Sequence, residues 1–295
     1  MNLLDGRLLF GRIKDDLRLE VAKMIKAGAS PPHLAAILVG QNPASKTYVN
    51  AKVKACKEVG FKSTVINFPK TISQDELLSE IEKINNSKEI NGLIVQLPLP
   101  NHIDESFITN SIACEKDVDG FHPINIGRMV LGLPCYLPAT PFGIMSLLKE
   151  YNIPTAGKKC LVIGRSNIVG TPISILMSRN NLIGNATVTL AHSKTKNLET
   201  LTLESDIIIV ALGIPHFLKA SMVRDNVVVI DVGIHRINSN ATKSGYRLIG
   251  DVDFDNVKEK ASFITPVPGG VGPMTIASLL QNTLYSAKKI IYSHT

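Results

Sequence analysis

The sequence predicts an α/β protein of two domains, each built around a parallel sheet. Apolar stretches alternate with amphipathic stretches along the chain, which is the order that parallel strands and their crossover helices produce. Two functional motifs are also far apart, because Tyr48-Val-Asn-Ala-Lys52 comes early and a glycine turn at 164–170 comes more than a hundred residues later. We therefore expect the two motifs to lie in different domains, with an active-site cleft between them.

Hydrophobic periodicity predicts the elements of the first half. Ser73 and Glu76 have the spacing of a capping box, which indicates a helix start. Residues 123–141 are predicted to be a junction, after which Thr140 as N-cap and Pro141 at the first helical position begin another helix. The other predicted elements are helix 8–27, strand 33–39, helix 45–60, strand 62–68, helix 74–86 and strand 92–96.

The second half begins with a βαβ unit around the glycine turn and ends in a long helix that can pack back on the first domain. The predicted first domain is therefore discontinuous, 1–139 plus 273–295, and the second domain is 140–272. The predicted elements of this half are strand 160–163, a helix to about Arg179, strands 186–190, 206–212 and 227–232, and helix 273–292.

Composition excludes several classes of protein. With 44% apolar and 19% charged residues, the chain can bury a sizeable core. Its apolar runs are too short to cross a membrane and its N-terminus lacks a signal-peptide pattern, so we expect a cytoplasmic protein without membrane contact. The four cysteines lack metal-ligand spacing and are expected to be reduced thiols, with no metal site. The net charge of +7 comes from scattered lysines, which disfavours nucleic acid and suits a polyanionic substrate or cofactor.

The glycine turn indicates a dinucleotide. Gly-Arg-Ser-Asn-Ile-Val-Gly at 164–170 follows an apolar strand and opens a helix, an arrangement that holds a pyrophosphate. The next strand ends at Ala191-His192-Ser193 without the carboxylate that binds an NAD ribose. Arg165 and Ser193 instead suit the 2′-phosphate of NADP. In the alternative interpretation, the glycines are needed only for steric reasons and Arg165 caps surface carbonyls.

A second group of residues can handle protons. Tyr48 and Lys52 share one helix face, and Gln96 ends a buried strand where a parallel sheet presents residues to a crevice. Asp117 and Asp119 add two carboxylates at a turn. Each of these could instead be structural. Tyr48 and Lys52 could lie on a solvated helix face, and Gln96 could satisfy a backbone group. Asp117 or Asp119 could form an Asx-turn.

The segment Pro266-Val-Pro-Gly-Gly-Val-Gly-Pro-Met-Thr275 is predicted to be a functional loop. Its three prolines and three glycines make it rigid and open to close approach of the backbone. It leads into the last helix, whose N-terminus can face an anion or a cofactor amide.

Six segments of the chain resemble those of one family, the bifunctional methylenetetrahydrofolate dehydrogenase/methenyltetrahydrofolate cyclohydrolases. The resemblance covers nearly the whole chain in the right order. It departs at Ala139 and Ala191, where many members have cysteine. The segments are Val39-Gly-x-x-Pro-Ala-Ser-x-x-Tyr-Val, Val95-Gln-Leu-Pro-Leu-Pro100, Lys116-Asp-Val-Asp-Gly120, Val162-Ile-Gly-Arg-Ser-Asn-Ile-Val-Gly170, Val229-Ile-Asp-Val-Gly233 and Thr265-Pro-Val-Pro-Gly-Gly-Val-Gly-Pro-Met-Thr275.

The resemblance implies a catalytic domain completed by the C-terminal helix, and a Rossmann-like NADP-binding domain. It implies oxidation of 5,10-methylenetetrahydrofolate with NADP, then hydrolysis to 10-formyltetrahydrofolate, without a metal and in a homodimer. Lys52 is then the central catalytic residue, hydrogen-bonded by Gln96, while Tyr48 orients the folate and Asp119 holds the pterin. Pro268, Gly269 and Gly270 border the substrate. The residues implied for the cofactor are Gly164, Arg165, Ser166, Ser193, Gly213, Val232, Gly233 and Ile234.

Three alternatives remain at this point. The chain could be a dehydrogenase with little cyclohydrolase activity, because one folate cleft serves both steps. It could be a nucleotide-binding regulator without turnover, which the joint presence of Tyr48, Lys52, Gln96 and Asp119 disfavours. A basic nucleic-acid binder is the weakest alternative, since the lysines are scattered.

Overall fold

The computed structural model describes residues 1–239 and 245–292, and the chain divides into two compact units. The glycine-turn unit comprises Met1–Phe10 and Thr140–Thr275, and the lysine unit comprises Gly11–Ala139 and Ile276–Thr295. Within the described ranges, no helix is long and apolar enough to cross a membrane.

Helices and strands alternate along most of the chain. The helices are α1 (Gly6–Lys26), α2 (Pro43–Val59), α3 (Gln74–Asn86), α4 (Glu105–Asn110), α5 (Pro123–Leu131), α6 (Ala139–Glu150), α7 (Gly170–Ser178), α8 (Leu198–Leu203), α9 (Phe254–Val257) and α10 (Val271–Ala287). The strands are β1 (Asn2–Leu3), β2 (His33–Val39), β3 (Lys62–Phe68), β4 (Gly92–Val95), β5 (Lys159–Ile163), β6 (Thr187–Ala191), β7 (Ile207–Val210), β8 (Val227–Asp231), β9 (His235–Asn238), β10 (Tyr246–Ile249) and β11 (Ala261–Ile264).

The glycine-turn unit contains a six-stranded sheet in the order β1-β11-β8-β7-β5-β6. Every neighbouring pair is parallel, and β7 and β8 are buried along their whole length. Strand β6 lies on one side of β5 and β7 lies on the other. The chain thus reverses its winding direction at β5, and such a reversal opens a crevice at the carboxyl ends of the two strands. Strands β9 and β10 form a separate antiparallel hairpin.

The lysine unit contains a three-stranded parallel sheet in the order β3-β2-β4. The central strand β2 is buried except at His33. Helix α3 covers the sheet with Leu77, Ile81 and Ile84, which belong to the same apolar cluster as the β2 side chains. The winding direction reverses here as well, so a second crevice is expected at the carboxyl ends of β2 and β4.

The predicted two-domain α/β fold class is confirmed by these sheets. Strands β2 and β3 and helix α3 have the predicted bounds, and Gly60 ends α2 in a left-handed conformation with φ 84°. The capping box is also present: Ser73 Oγ accepts from the Glu76 amide at 3.2 Å, and the Glu76 carboxylate accepts from the Ser73 amide at 2.9 Å.

Several predicted elements were wrong in detail. The predicted junction at 123–141 does contain the boundary between the two units, at Ala139 and Thr140, but it also contains the helix α5, which has His122 as N-cap and Pro123 in its first turn. Helix α6 begins at Ala139, so Thr140 lies within the helix rather than at its cap. Helix α10 ends at Ala287, five residues before the predicted Tyr292. The hairpin of β9 and β10 and the strand β11 were not predicted.

The compact units differ from the predicted domains at the N-terminus. Residues 1–10 lie in the glycine-turn unit because β1 extends the six-stranded sheet beside β11 and the Leu4 amide donates to the Ile264 carbonyl at 2.9 Å. At the other end, the chain from Ile276 onward lies in the lysine unit. There the Asn282 side chain donates to the carbonyls of Val118 and Leu137 at 2.8 and 2.9 Å.

Replacing Ser73 by alanine is expected to destabilise the first turn of α3 by about 1 kcal/mol, because the Glu76 amide loses its acceptor. Ser79→Ala, at an exposed position of the same helix, is the matched control and should be neutral or slightly stabilising. Hydrogen–deuterium exchange of the peptide 73–86 measures both effects. Equal protection of that peptide in the two variants would contradict the capping role.

Candidate active site

Lys52 lies on the buried face of α2. The Asn42 side chain caps this helix by accepting from the amides of Ala44 and Ser45 at 2.9 and 3.2 Å. Helical periodicity then places Val49, Lys52 and Cys56 on the side turned toward the core. Lys52 is only 8% exposed, which is rare for a lysine. A solvated helix face therefore does not describe this residue.

Gln96 provides the polar partner of Lys52. It follows β4 directly, and its amide continues the parallel ladder by donating to the Ile37 carbonyl at 2.9 Å. Its side-chain Nε2 donates to the Leu97 carbonyl at 2.8 Å, which turns Oε1 toward Lys52 Nζ at 3.4 Å. That distance is long for a hydrogen bond. In the part of the chain that the structure describes, Lys52 pairs with no carboxylate.

The other neighbours of Lys52 on α2 are neutral. Burial raises the pKa of the Cys56 thiol to about 12, and the nearby Lys52 lowers it by a smaller amount, so the thiol keeps its proton. Tyr48, one turn before Lys52, is 38% exposed, and partial burial raises the pKa of its hydroxyl. The exposed part of the Tyr48 ring is available for a flat ligand.

The structure separates the roles of Asp117 and Asp119. The Asp117 carboxylate is 2% exposed and accepts from the His122 amide at 2.7 Å and from Asn125 Nδ2 at 2.9 Å. Burial, with a smaller contribution from the nearby Asp119, raises the pKa of Asp117 to about 7. Asp119 is half-buried, and its carboxylate accepts no hydrogen bond from residues 1–239 or 245–292. Asp117 therefore orders the loop, and Asp119 retains free acceptor capacity.

Asn125 is a structural residue behind the Asp117 loop that the sequence did not predict. It is completely buried, and its side chain makes four hydrogen bonds that tie the Asp117 loop to the C-terminal segment. Its Nδ2 donates to Asp117 and to the Cys114 carbonyl, while its Oδ1 accepts from the Tyr136 amide and the Tyr292 hydroxyl. The helix-start pattern His122-Pro123 could have shown that this asparagine lies on a helix.

The glycine turn lies at the crevice of the six-stranded sheet. Gly164 follows β5 with φ 114°, and a Cβ there would overlap the Ala211 carbonyl oxygen at the end of β7. A Cβ at Gly170 would overlap the Gly164 carbonyl oxygen. The Ser166 hydroxyl accepts from the amides of Val169 and Gly170 at 3.2 and 3.4 Å, at the start of α7. This close-packed turn at a helix N-terminus fits the pyrophosphate of a dinucleotide.

Arg165 and Ser193 follow the ends of two paired strands. Ile163 of β5 is in register with Ala191 of β6, so each functional side chain comes two residues after a matched position. Both residues are exposed. The Arg165 side chain makes no hydrogen bond to any part of the chain that the structure describes, so it does not cap surface carbonyls. A guanidinium and a hydroxyl at this edge fit a phosphate on the adenosine ribose.

The remaining cofactor candidates lie after β7 and β8. Gly213 has φ 73°, and its amide and that of Leu212 donate to the buried Asp251 carboxylate. Gly233 follows β8 between Val232 and Ile234, and its amide donates to Asp231 at 2.9 Å. Burial raises the pKa of Asp231 to about 7.

Two supporting aspartates were not predicted. Asp231 is part of an apolar strand and Asp251 belongs to the Gly-Asp pair after an unpredicted hairpin. For Asp231 the sequence did offer a signal, because it is a carboxylate inside an otherwise apolar strand. A carboxylate that is buried in this way must accept several hydrogen bonds.

The loop 266–275 leaves the end of β11 in the glycine-turn unit. Gly269 has φ 121°, and its carbonyl accepts from the Arg7 amide at 3.1 Å. The Gly270 amide donates to the Pro266 carbonyl at 2.8 Å, directly before α10 begins. Pro268, Gly269 and Gly270 thus belong to the same unit as the glycine turn, whereas Tyr48, Lys52, Gln96 and Asp119 belong to the lysine unit.

Known proteins match both units. The family model described as the catalytic domain of tetrahydrofolate dehydrogenase/cyclohydrolase matches residues 4–119. The model described as the NAD(P)-binding domain of the same family matches residues 138–291. A bifunctional protein FolD of Cytophaga hutchinsonii is 60% identical over 287 residues, which are 97% of this chain and 99% of the relative.

Solved structures agree with these matches. The bifunctional FolD methylenetetrahydrofolate dehydrogenase/cyclohydrolase of Campylobacter jejuni is 49% identical, with a TM-score of 0.92 over 98% of this chain and 99% of that chain. The FolD enzyme of Trypanosoma brucei, solved with NADP and an inhibitor, is 35% identical, with a TM-score of 0.91 over 98% of each chain. Because two family models and close relatives together account for nearly the full length, the chain belongs to the tetrahydrofolate dehydrogenase/cyclohydrolase family.

Proposed function

We propose that Lys52, assisted by Gln96, is the central catalytic residue of both folate reactions: it orients the folate in the first reaction and accepts a proton in the second. As a member of its family, the chain is a bifunctional enzyme, an NADP-dependent methylenetetrahydrofolate dehydrogenase and a methenyltetrahydrofolate cyclohydrolase. The single observation that carries the proposal is a lysine residue, 8% exposed, whose amine has a neutral amide as its hydrogen-bond acceptor.

The first reaction needs no base at the reacting carbon. The methylene bridge of 5,10-methylenetetrahydrofolate loses a hydride and becomes the 5,10-methenyl cation. NADP, when bound, would supply the hydride acceptor. The task of the protein in this step is to hold the folate in a productive orientation, which can supply a large share of the rate enhancement.

The second reaction does need proton transfer. Water adds to the methenyl carbon and loses one proton to a base. The bond from that carbon to one ring nitrogen then breaks, the remaining hydroxyl proton passes to that nitrogen, and 10-formyltetrahydrofolate forms. An amine takes up the proton only in its neutral form. Lys52 suits this role because its amine faces the neutral side chain of Gln96 and pairs with no carboxylate among the residues that the structure describes.

We assign folate binding to Tyr48 and Asp119. The carboxylate of Asp119 can accept two parallel N–H groups from the amino-pyrimidinone edge of the pterin, as a carboxylate does from a guanidinium. Its free acceptor capacity supports this assignment. The half-exposed Tyr48 ring can stack on a flat part of the folate.

We assign cofactor binding to the carboxyl edge of the six-stranded sheet. Gly164, Arg165 and Ser166 would hold the phosphates, and Ser193 would assist Arg165 at the 2′-phosphate. Gly213 and residues 232–234 would line the cofactor further along the same edge, and the loop with Pro268, Gly269 and Gly270 would border the folate. Their positions after β5, β6, β7, β8 and β11 support this assignment.

We further propose a homodimer in the cytoplasm. Family resemblance is the main support for the dimer, and β6 is an outer strand of its sheet with alternately exposed side chains that a partner could cover. The four free cysteines are compatible with a reducing compartment.

Lys52→Met should lower methenyltetrahydrofolate hydrolysis by about a hundred- to ten-thousand-fold, because it removes the amine and keeps the apolar stem. The dehydrogenase rate should fall less, through lost orientation of the folate. The two steps are assayed separately by the absorbance of methenyltetrahydrofolate and of NADPH, after the thermal midpoint has been shown to be unchanged.

Lys54→Met is the matched control for this change. Lys54 lies on the same helix with its side chain 80% exposed, 3.9 Å from Glu58, so its loss should leave both rates within about two-fold. Hydrolysis by Lys52→Met within a few-fold of the unaltered enzyme would make Lys52 a structural residue and refute the mechanism.

Arg165→Ala should weaken NADP binding by roughly one to two decades and leave NAD binding nearly unchanged, because a charge-assisted contact to phosphate contributes about 1.5–3 kcal/mol. The measurement is kcat/KM with each cofactor. Lys149→Ala removes one positive charge from an exposed position of the same unit. It controls for the effect of total surface charge on NADP binding. Equal use of NAD and NADP by the unaltered enzyme would overturn the assignment.

The dimer predicts a particle of about twice the chain mass of 32.0 kDa in light scattering at micromolar concentration. Sedimentation velocity at several concentrations checks the same result. A single species near 32.0 kDa throughout would rule the dimer out.

A further inference from the structure

Three turns leave the carboxyl edge of the six-stranded sheet from neighbouring strands, one after β7, one after β8 and one after β11. The first contains Gly213 and the second contains Gly233. Two carboxylates are buried at these turns: Asp231 is 3% exposed and Asp251 is 0% exposed. The two folate reactions as described leave both carboxylates without an assigned role.

Asp251 holds the turn after β7. Its Oδ2 accepts from the amides of Leu212 and Gly213 at 2.7 and 2.9 Å. Its Oδ1 pairs with His235 Nε2 at 2.7 Å. Both carboxylate oxygens therefore have hydrogen-bond partners, and one of them holds two backbone amides of the turn.

Asp231 links Asp251 to the other two turns. Its Oδ1 accepts from the amides of Gly233 and Asp251, and its Oδ2 accepts from the Val252 amide, all at 2.9 Å. Its own amide donates to Thr265 Oγ1 at 2.7 Å, directly before the loop that follows β11. The two aspartates thus connect all three turns, through backbone amides and the Thr265 hydroxyl.

This arrangement leaves little freedom to the backbone. A Cβ at Gly233 would overlap the Asp251 carboxylate, and a Cβ at Gly250 would overlap the Asp231 carboxylate. Removing the Asp251 carboxylate would leave the part-buried amides of Leu212 and Gly213 without the acceptor that fixes their direction. The loss of these charge-assisted hydrogen bonds is unfavourable, so the turn is expected to shift until both amides find another partner.

We propose that Asp251, held by His235, is a positioning residue for NADP. It sets the turn of Leu212 and Gly213 in the conformation that receives the cofactor, and Asp231 transmits the same constraint to Gly233. The inference rests on the proposed placement of the cofactor along this edge. Asp251 itself need not touch NADP or folate.

The test compares Asp251→Ala with Asp251→Asn. Titration calorimetry measures NADP binding without folate, and hydrolysis of methenyltetrahydrofolate is followed without NADP. Asp251→Ala should raise the Kd for NADP at least tenfold while hydrolysis falls far less. Asp251→Asn keeps an acceptor for the two amides and can donate to neutral His235, so its Kd should return to within about threefold of the unaltered protein.

Asp225→Ala is the control, because Asp225 is an exposed carboxylate of the same unit just before β8, at the opposite edge of the sheet. NADP affinity of Asp251→Ala within twofold of the unaltered protein would overturn the proposal, as would an equal loss of NADP binding and hydrolysis. If Asp251→Ala does not fold, His235→Ala takes its place: a rise in Kd of at least threefold supports the proposal, and unchanged affinity overturns it. If the proposed cofactor site were wrong, the unaltered protein would itself fail to bind NADP in the same titration.

Discussion

The reversal of winding direction beside β2 and beside β5 is the constraint on which both sites depend. Parallel strands require crossover connections, and a chain that places its next strand on the other side of the first leaves a crevice where the two connections diverge. In the lysine unit this position is filled by the start of α2 and by Gln96. In the glycine-turn unit it is filled by Gly164 and by the turn after β7. The same topological event thus creates two sites of different chemistry.

Buried carboxylates then fix the loops around each crevice. Asp117, Asp231 and Asp251 are all nearly inaccessible, and each accepts hydrogen bonds from backbone amides of a turn. Burial of a charge is unfavourable unless several donors compensate for it, so each carboxylate is stable only while its turn keeps one conformation. Buried carboxylates thus hold these loops in one conformation, as backbone hydrogen bonds do in helices and strands. This role also explains why two aspartates two residues apart, Asp117 and Asp119, have different tasks.

The sequence predicted the parts of the molecule in which local pattern and tertiary environment agree. Strand β2 is apolar because it is central, and α3 carries its own capping box, so both were found with their bounds. Strand β1 has two residues and exists only because β11 lies beside it, a fact that no local pattern contains. The site residues Lys52 and Gln96 could be named, but Asn125 could not, since its role arises from partners up to 167 residues distant.

The neutral surroundings of Lys52 support the proposal that one residue serves both activities of the enzyme. A carboxylate partner would hold the amine as an ammonium ion, suited to binding an anion but unable to accept a proton. Gln96 cannot do this, because its amide stays neutral, and its Nε2 is already bonded to the Leu97 carbonyl. Cys56 adds no charge either, because burial keeps its thiol protonated. Hydride transfer requires only orientation, whereas hydrolysis requires a proton acceptor, and in the proposed mechanism the oriented amine of Lys52 serves both steps.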